Sequence, residues 1–555
     1  RIEMEQFQPK MPWCLSLLLG TFVDTTDGLQ ARPIPVRPMD AFPEAVIDSL
    51  PRGETKINEY HSAFHLQPTS GHVNDPSAPI YYKGMYHLFP QYTPSSNKQQ
   101  CWAHVISEDL LHWTLLESAI EPDMRYHCNG PYPESAADDN GAWVGDISIV
   151  SGTPVMVYSV ACQQYVGRAS ADSTNPQLSN WTKQERPMLT AKEIGVPWIR
   201  DPVTWVGEDE DHRMIADCPN GACLFKSEDF VSWTHVGELI KWRQERFSQF
   251  KDDPDFFALP GTDKHIFKVS TVEGDVWIMG KYEEVHDTHK PDLFTPIVED
   301  LVQGMTSQKL DFGYFYASKS GYDPISKRQI LFGWIPYQCR HTTWSGAMSI
   351  PRVVSVDPLR PTSIITFPID ETKTIRSSIP IVDLQEEIMT PNQYRTIPKV
   401  GAQLDIEITL DLKRNMELGY AFLTGKPHRP SVWWLFGIKV LLDDMSDEED
   451  SLDIQVVTMN GNVKIYHQNH SMQVNMYDED KGVLSLRVLV DRSITETFVQ
   501  GGRMAKTVTY CPKKFQKLDS SALKVYCKGD GMNGGIHLKS LKVWGMADTN
   551  GYRDV

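Results

Sequence analysis

The stretch WAHVISEDLLHW, Trp102 to Trp113, closes on Ser-Glu-Asp, an apolar pair and Trp. The same ending returns in CLFKSEDFVSWTHVG, Cys223 to Gly237, and WVGDISIVSGTPVMVYSV, Trp143 to Val160, is a further run of the same character between them. A short strand-rich unit that recurs along a chain cannot bury its apolar face alone and must stack on its neighbours. Four-stranded sheets arranged around an axis, a β-propeller, meet that need. From about His61 onward the pattern is strand, turn, strand, with few segments long enough for an amphipathic helix, so the expected class is all-β.

Working outward, 555 residues exceed what one core sustains, and at least two folded domains are expected. The segment DETKTIRSSIPIVDLQEEI, Asp370 to Ile388, is more polar than its surroundings and reads as a short helix or linker. Beyond it QLDIEITLDL, DIQVVTMNGNVKIYH, GVLSLRVLVDRSITETFV and GGIHLKSLKVWGM alternate cleanly, with Asn460-Gly461 as a hairpin turn, which predicts an antiparallel β-sandwich. The expected organisation is a leader region over 1–57, a propeller over 58–372, a linker over 373–389 and a sandwich over 390–548.

A net charge of −18 disfavours nucleic acid and anionic membrane surfaces as partners, and leaves a neutral, hydroxyl-rich ligand unopposed. Met11 to Val23, MPWCLSLLLGTFV, follows Lys10 and has the length of a signal-peptide apolar core rather than of a membrane span. The sequons at Asn180 and Asn469 acquire meaning if the chain is secreted. The nine cysteines are scattered and form no dense framework; Cys218 and Cys223 flank Pro219-Asn220-Gly221 and suit either a bridge or half of a metal site.

Motifs for a P-loop, a zincin, a serine hydrolase and a dinucleotide fold are missing: GDVWIMGKY, Gly274 to Tyr282, has the wrong glycine spacing for a phosphate loop. What remains is a set of carboxylates beside aromatics: Asp75 in HVNDPSAP, Asp201 in WIRDPVTW, and Asp252-Asp253 in FKDDPDFFALPG. Each lies one or two residues before a proline. One Asp-Pro is an ordinary turn starter. A set of them flanked by Tyr and Trp suits glycoside hydrolysis, which needs paired carboxylates at an anomeric carbon and aromatic faces for the sugar.

At this point FHLQPTSGHVNDPSAPIYYKGMYHLFPQYTP resembles the opening signature of glycoside hydrolase family 32, the invertases, fructan hydrolases and fructosyltransferases. The resemblance continues in order through CWAHVISEDLLHW, DNGAWVGDISIV, WIRDPVTW, DDPDFFALPG, LDFGYFYASKSGYDP, WSGAMSIPR and LSLRVLVDRSITETFVQGGR, closest in tone to the plant branch. It implies a five-bladed propeller with a funnel-shaped pocket, followed by the sandwich. It also implies a retaining β-fructofuranosidase acting on sucrose or fructan, with no metal or other cofactor, and a secreted, cell-wall or vacuolar location. Asp75 matches the nucleophile, Asp201 the transition-state stabiliser, and Asp252 the position of the acid/base. Asn74, Gln91, Trp102, Trp143, Asp146, Arg200 and Trp344 fall where the family lines its pocket.

The match departs from the family at named positions. Asp252-Asp253 stands where the family carries Glu-Cys, so the acid/base is shorter by one C–C bond, about 1.5 Å. His72, Ser77-Ala78, Pro90 and Asp146 also replace usual residues around the pocket. These departures motivate two alternatives: a fructoside-binding homologue with impaired acid catalysis, and a fructosyltransferase. On an extended strand Asp253 and Asp255 are expected to face away from Asp252, because side chains alternate.

Overall fold

The computed structural model describes residues 60–95, 100–122, 141–160, 163–241, 251–297, 308–339, 342–417, 433–441, 451–467, 470–511, 521–530 and 534–550. The leader and Met11 to Val23 lie outside them, as does Asn469. Among the described residues, strands from Gly71–Val73 to Arg360–Pro368 form five successive sheets, and those from Val382–Met389 onward form two sheets of six strands. The propeller and sandwich of the expected class are both present.

The recurring Ser-Glu-Asp has the same structural task each time. It turns the chain from Cys101–Ser107 into Thr114–Ile120 in the first sheet, and from Gly221–Ser227 into Thr234–Lys241 in the third. Ser107 Oγ accepts the amide of Leu110 at 2.8 Å, while Asp109 Oδ1 accepts those of Leu111 and His112 at 3.0 and 2.8 Å. Asp229 Oδ1 likewise accepts Val231 and Ser232 at 2.8 and 2.7 Å. Short side-chain acceptors satisfy the turn's backbone donors, which is why the motif repeats.

The ring closes through an exchange between its ends. Gly71–Val73, from the first sheet, pairs in parallel with Trp344–Ser345, which follows the second strand of the fifth, with Gly71 opposite Trp344. Strands such as His212–Cys218 and Gly221–Ser227 are buried along their whole length, since a neighbouring sheet covers each face. In the sandwich the pattern is the alternation of a sheet buried on one face. Leu404, Ile406, Ile408 and Leu410 of one sheet meet Trp434, Phe436, Ile438 and Val440 of the other in one core.

The segment expected to be a linker is divided between two elements. Asp370–Ile375 is a 3-10 helix, and Val382–Met389 is an edge strand of the sandwich, paired along Ile536–Gly545. Its polar sequence misled because an edge strand with an exposed outer face carries Glu and Gln as a linker does. Cys218 and Cys223 form a disulfide across their hairpin, and Cys339–Cys511 ties the end of the ring to the sandwich.

A buried ionic chain fastens the sandwich to the ring. His65 Nδ1 meets Asp491 Oδ2 at 2.8 Å, and Nε2 meets Glu496 Oε1 at 2.9 Å. Arg352 joins Glu496 to Asp311, the latter at 2.9 Å. Asp491 also accepts the amides of Ala63, Phe64 and His65 at 2.7, 2.8 and 2.9 Å. Burial opposes the charge on His65, but its two carboxylate partners win and raise it to about 9; Glu496 is held down to about 2, with burial opposing and Arg352 and His65 prevailing.

The signs follow. The raised His65 stabilises the fold fully below its ordinary value of 6.5, and that contribution fades as pH rises through about 9. The lowered Glu496 contributes above its ordinary 4.5 and is lost as pH falls toward about 2. Replacing His65 by Ala should cost about 3–5 kcal/mol by removing the cation that two buried carboxylates share. It should also remove the decline in melting temperature between neutral pH and pH 9 that is expected of the wild-type protein. Thermal melting of both proteins against pH checks this, and a parallel decline in both would refute it.

Candidate active site

The carboxylates singled out in the sequence converge because the innermost strands of the sheets are bulged where they begin. Register slips between Arg200 and Val203, between Asp252 and Asp255, and between Tyr316 and Lys319. Within each slip one residue takes a positive φ: Asp201 at 53°, Asp253 at 48° and Ala317 at 52°. The pairs Arg200-Asp201, Asp252-Asp253 and Tyr316-Ala317 are therefore structural equivalents on successive sheets. A bulge re-aims side chains, at a cost in backbone strain that recurs at functional sites.

The bulge also corrects the expectation for Asp253. Simple alternation fails there, and Asp253 is buried where Asp75, Asp201 and Asp252 act on it. Its amide donates to Asp201 Oδ2 at 3.3 Å, and its carbonyl accepts Lys268 Nζ at 2.7 Å. Burial first, then those carboxylates, raise it well above the ordinary range. Asp255 is turned to other work, accepting the amide of Ser320 at 2.8 Å.

Asp75 follows the strand Gly71–Val73 and is steadied by an amide lattice. Asn74 Nδ2 donates to Asp75 Oδ2 at 3.1 Å and to Gln91 Oε1 at 2.6 Å. Gln100 Nε2 donates to Asn74 Oδ1 at 2.8 Å and to Gln91 Oε1 at 2.7 Å. Burial pushes the Asp75 carboxyl up to about 7, with the charges of Asp201 and Asp252 adding to it and the Asn74 bond opposing.

Asp201 is buried and sits against Ser159, whose Oγ accepts its amide at 2.5 Å and donates to its Oδ1 at 3.4 Å. Arg200 stacks on Trp198, 5.1 Å from the ring centre, and pairs with Asp217 at 3.0 Å, with Asp201 at 3.7 Å and, very closely, with Asp252. Oxygens of Asp201, Asp217 and Asp252 lie within 4.8 Å of one another, a spacing that suits a cation, and the guanidinium of Arg200 supplies one. Asp252 is 28% exposed, more open than Asp201 at 6% or Asp217 at 1%. Burial raises it despite Arg200, and a hydrogen bond from Tyr316 opposes the rise.

The remaining expected residues take supporting positions. Trp102 is fully buried against Phe89 and Tyr158, and its indole N–H donates to the Trp143 carbonyl at 2.8 Å. Trp344 is buried against Tyr337 and His61, and Trp143 is buried as well. All three, expected to line the pocket, are buried within the ring. Asp146 accepts the amide and hydroxyl of Thr204 at 2.8 and 3.2 Å, so it ties the second sheet to the third. Burial raises it to about 6, with the Thr204 amide opposing, and the strongest charges on it belong to Lys319 and Asp255 rather than to Asp75. His72 meets Ser345 Oγ at 2.7 Å and is neutral near pH 7, because burial lowers it to about 4.

Asp217, Tyr316, Ser159, Gln100 and Lys268 escaped the sequence reading. Each acts through a residue elsewhere in the chain, which no local pattern marks.

Residues 65–368 match the Glycosyl hydrolases family 32 N-terminal domain, and residues 371–545 match the family's C-terminal domain. An insoluble isoenzyme of beta-fructofuranosidase from Arabidopsis thaliana is 28% identical over 568 residues, covering 89% of this chain and 91% of that protein. A fructan 1-exohydrolase from Triticum urartu is 28% identical, covering 88% of each. Among solved structures, fructan 1-exohydrolase IIa from Cichorium intybus superimposes with a TM-score of 0.72 at 24% identity, over 89% of this chain and 98% of that one.

Ser159→Ala leaves the Asp201 amide without its acceptor, at a cost of about 1–3 kcal/mol in stability. It also frees Asp201 to shift, and a displacement of about 1 Å costs about 100-fold in rate. Melting temperature and kcat/KM should fall together; a stability loss with an unchanged rate would show that Ser159 does not place Asp201.

Proposed function

The chain belongs to glycosyl hydrolase family 32, and from that premise we propose that Asp75, Asp252 and Asp201 divide the work of a retaining fructosyl transfer among them. The protein is a fructosyl-cleaving glycosidase of the beta-fructofuranosidase and fructan exohydrolase kind. Its substrates are small carbohydrates, and the Cichorium intybus enzyme, 25% identical to this chain, has been solved with 1-kestose bound. Sucrose and short fructans are the substrates proposed here.

In this reading Asp75, ionised, attacks the anomeric carbon of a terminal fructosyl unit and forms a covalent ester. Asp252 gives its proton to the departing glycosidic oxygen, then takes one from the water that releases fructose. Asp201 accepts sugar hydroxyls and faces the oxocarbenium-like charge as it develops. Asn74, Gln91 and Gln100 keep Asp75 in line. The observation that carries the reading is the convergence of Asp201 and Asp252, from the bulged starts of strands in neighbouring sheets, on Asp75 at the end of Gly71–Val73, where the charges of Asp201 and Asp252 help to raise the Asp75 carboxyl.

A second reading, catalytic impairment, draws on one observation. Asp252 pairs with Arg200, an arrangement that favours the ionised carboxylate over the acid a leaving group needs. For location we propose the secretory route, supported by two disulfides and by the exposed sequon at Asn180.

Free fructose released from sucrose, inulin and levan by the purified protein tests the function. Asp75→Ala should abolish release with the melting temperature retained; an unchanged rate would remove Asp75 from the role of nucleophile.

Asp252→Glu should raise the rate by about 10- to 100-fold, equivalent to about 1.4–2.7 kcal/mol of barrier, because the longer side chain recovers reach toward the glycosidic oxygen. Asp252→Asn should be far more damaging than Asp253→Asn. Absent turnover in both the wild type and Asp252→Glu, with fructoside binding retained by calorimetry, would favour the impaired homologue.

A further inference from the structure

Arg200 and Asp217 are direct cross-strand partners in the third sheet. Asp217 Oδ2 accepts both Nε and Nη2 of Arg200 at 3.0 Å, and the same Nη2 meets Asp252 Oδ1 on the next sheet. Asp217 is 1% exposed, and its other oxygen, Oδ1, is buried and meets no protein donor. Its neighbour Cys218 is bonded to Cys223, which pins the hairpin that carries it. The catalytic scheme so far gives this carboxyl no part.

Charge counting gives it one. A single guanidinium cannot neutralise all three carboxylates it meets, those of Asp201, Asp217 and Asp252, and in this buried place the ionisation of Asp217 and that of Asp252 oppose each other. The pair therefore keeps one proton up to a pH at which a lone Asp beside Arg would have lost its own. The other groups facing it are Asp75, Asp201, Asp253, Tyr316 and Lys268. The acids among them favour retention of the proton, whereas Lys268 and the Tyr316 hydrogen bond oppose it.

We propose that Asp217 is a positioning residue for fructosyl cleavage: it fixes Arg200 and, by sharing that cation with Asp252, keeps a proton available on Asp252 for the leaving oxygen. This rests on Asp252 being the acid. Burial raises both Asp217 and Asp252, with Arg200 opposing the rise in each, so both members of the pair favour keeping a proton.

Asp217→Asn keeps an oxygen for Arg200 but removes the charge and the second proton site. The alkaline limb of kcat/KM on sucrose should move down by about one pH unit, as Arg200 acts on Asp252 alone. KM at acid pH should change by less than about twofold, and Asp217→Glu, which restores the charge, should return the limb toward its original position. A limb that stays in place, with kcat lowered evenly at every pH, would reduce Asp217 to a structural role and overturn the proposal.

Asp252→Asn, measured alongside, separates the two ideas. If it keeps the rate and the limb, the acid is another group and both fall. If it abolishes turnover while the Asp217→Asn limb is unmoved, only the proposal about Asp217 falls. Should turnover be too slow to follow, carbon-13 NMR of labelled aspartate carboxyls in the full-length protein reads the same effect. The Asp252 signal, assigned by its loss in Asp252→Asn, should titrate lower in Asp217→Asn; titration at the wild-type pH would overturn the proposal.

Discussion

The buried chain Asp491–His65–Glu496–Arg352–Asp311 is the constraint from which the rest of the molecule hangs. It joins the segment that enters the first sheet, the last sheet of the ring and two strands of the sandwich. Each charge is buried and each is paired, so the chain contributes little net stability relative to an apolar core but makes any other docking expensive. The strand that closes the ring, Gly71–Val73, follows directly from this anchored segment, and Asp75 follows the strand. The sandwich thus helps to place the Asp75 carboxyl.

Within the ring, crowding of like charge is the governing condition. Asp75, Asp201, Asp217, Asp252 and Asp253 face one another, with Arg200 and Lys268 as the cations acting among them. Burial raises Asp75, Asp217, Asp252 and Asp253, and the neighbouring cations oppose that rise. A retaining glycosidase needs one carboxylate ionised and one acid protonated, and a cluster with fewer cations than carboxyls divides its protons in that manner. The bulges supply the geometry, because an unbroken strand would send alternate residues to opposite faces.

The shorter acid at Asp252 and the carboxyl at Asp217 belong to one arrangement. A Glu at 252 would reach about 1.5 Å farther, past Arg200, whereas Asp remains beside it. The guanidinium next to Asp252 would weaken it as an acid if nothing else drew on that cation. Asp217, opposite Arg200 on the adjacent strand, is such a competitor. The departure at one position is met by a charge on another strand.

Much of this was legible in the residues. The repeated Ser-Glu-Asp turn, the alternating strands after Asp370 and the Asp-Pro sites each depend on local chemistry, so all-β architecture, two domains and the acids Asp75, Asp201 and Asp252 could be read directly. The edge strand Val382–Met389 was not, since an exposed edge and a linker share a polar composition. Asp217, Ser159 and Tyr316 were not either, because their importance lies in facing Arg200, Asp201 and Asp252 across sheet and hairpin pairings that no local pattern encodes. The burial of Trp102 and Trp344 was decided only by closure of the ring. Sequence determines which groups are present and what each prefers locally; ionisation, exposure and direction are set by neighbours distant in the chain, and those exist only once the ring has closed.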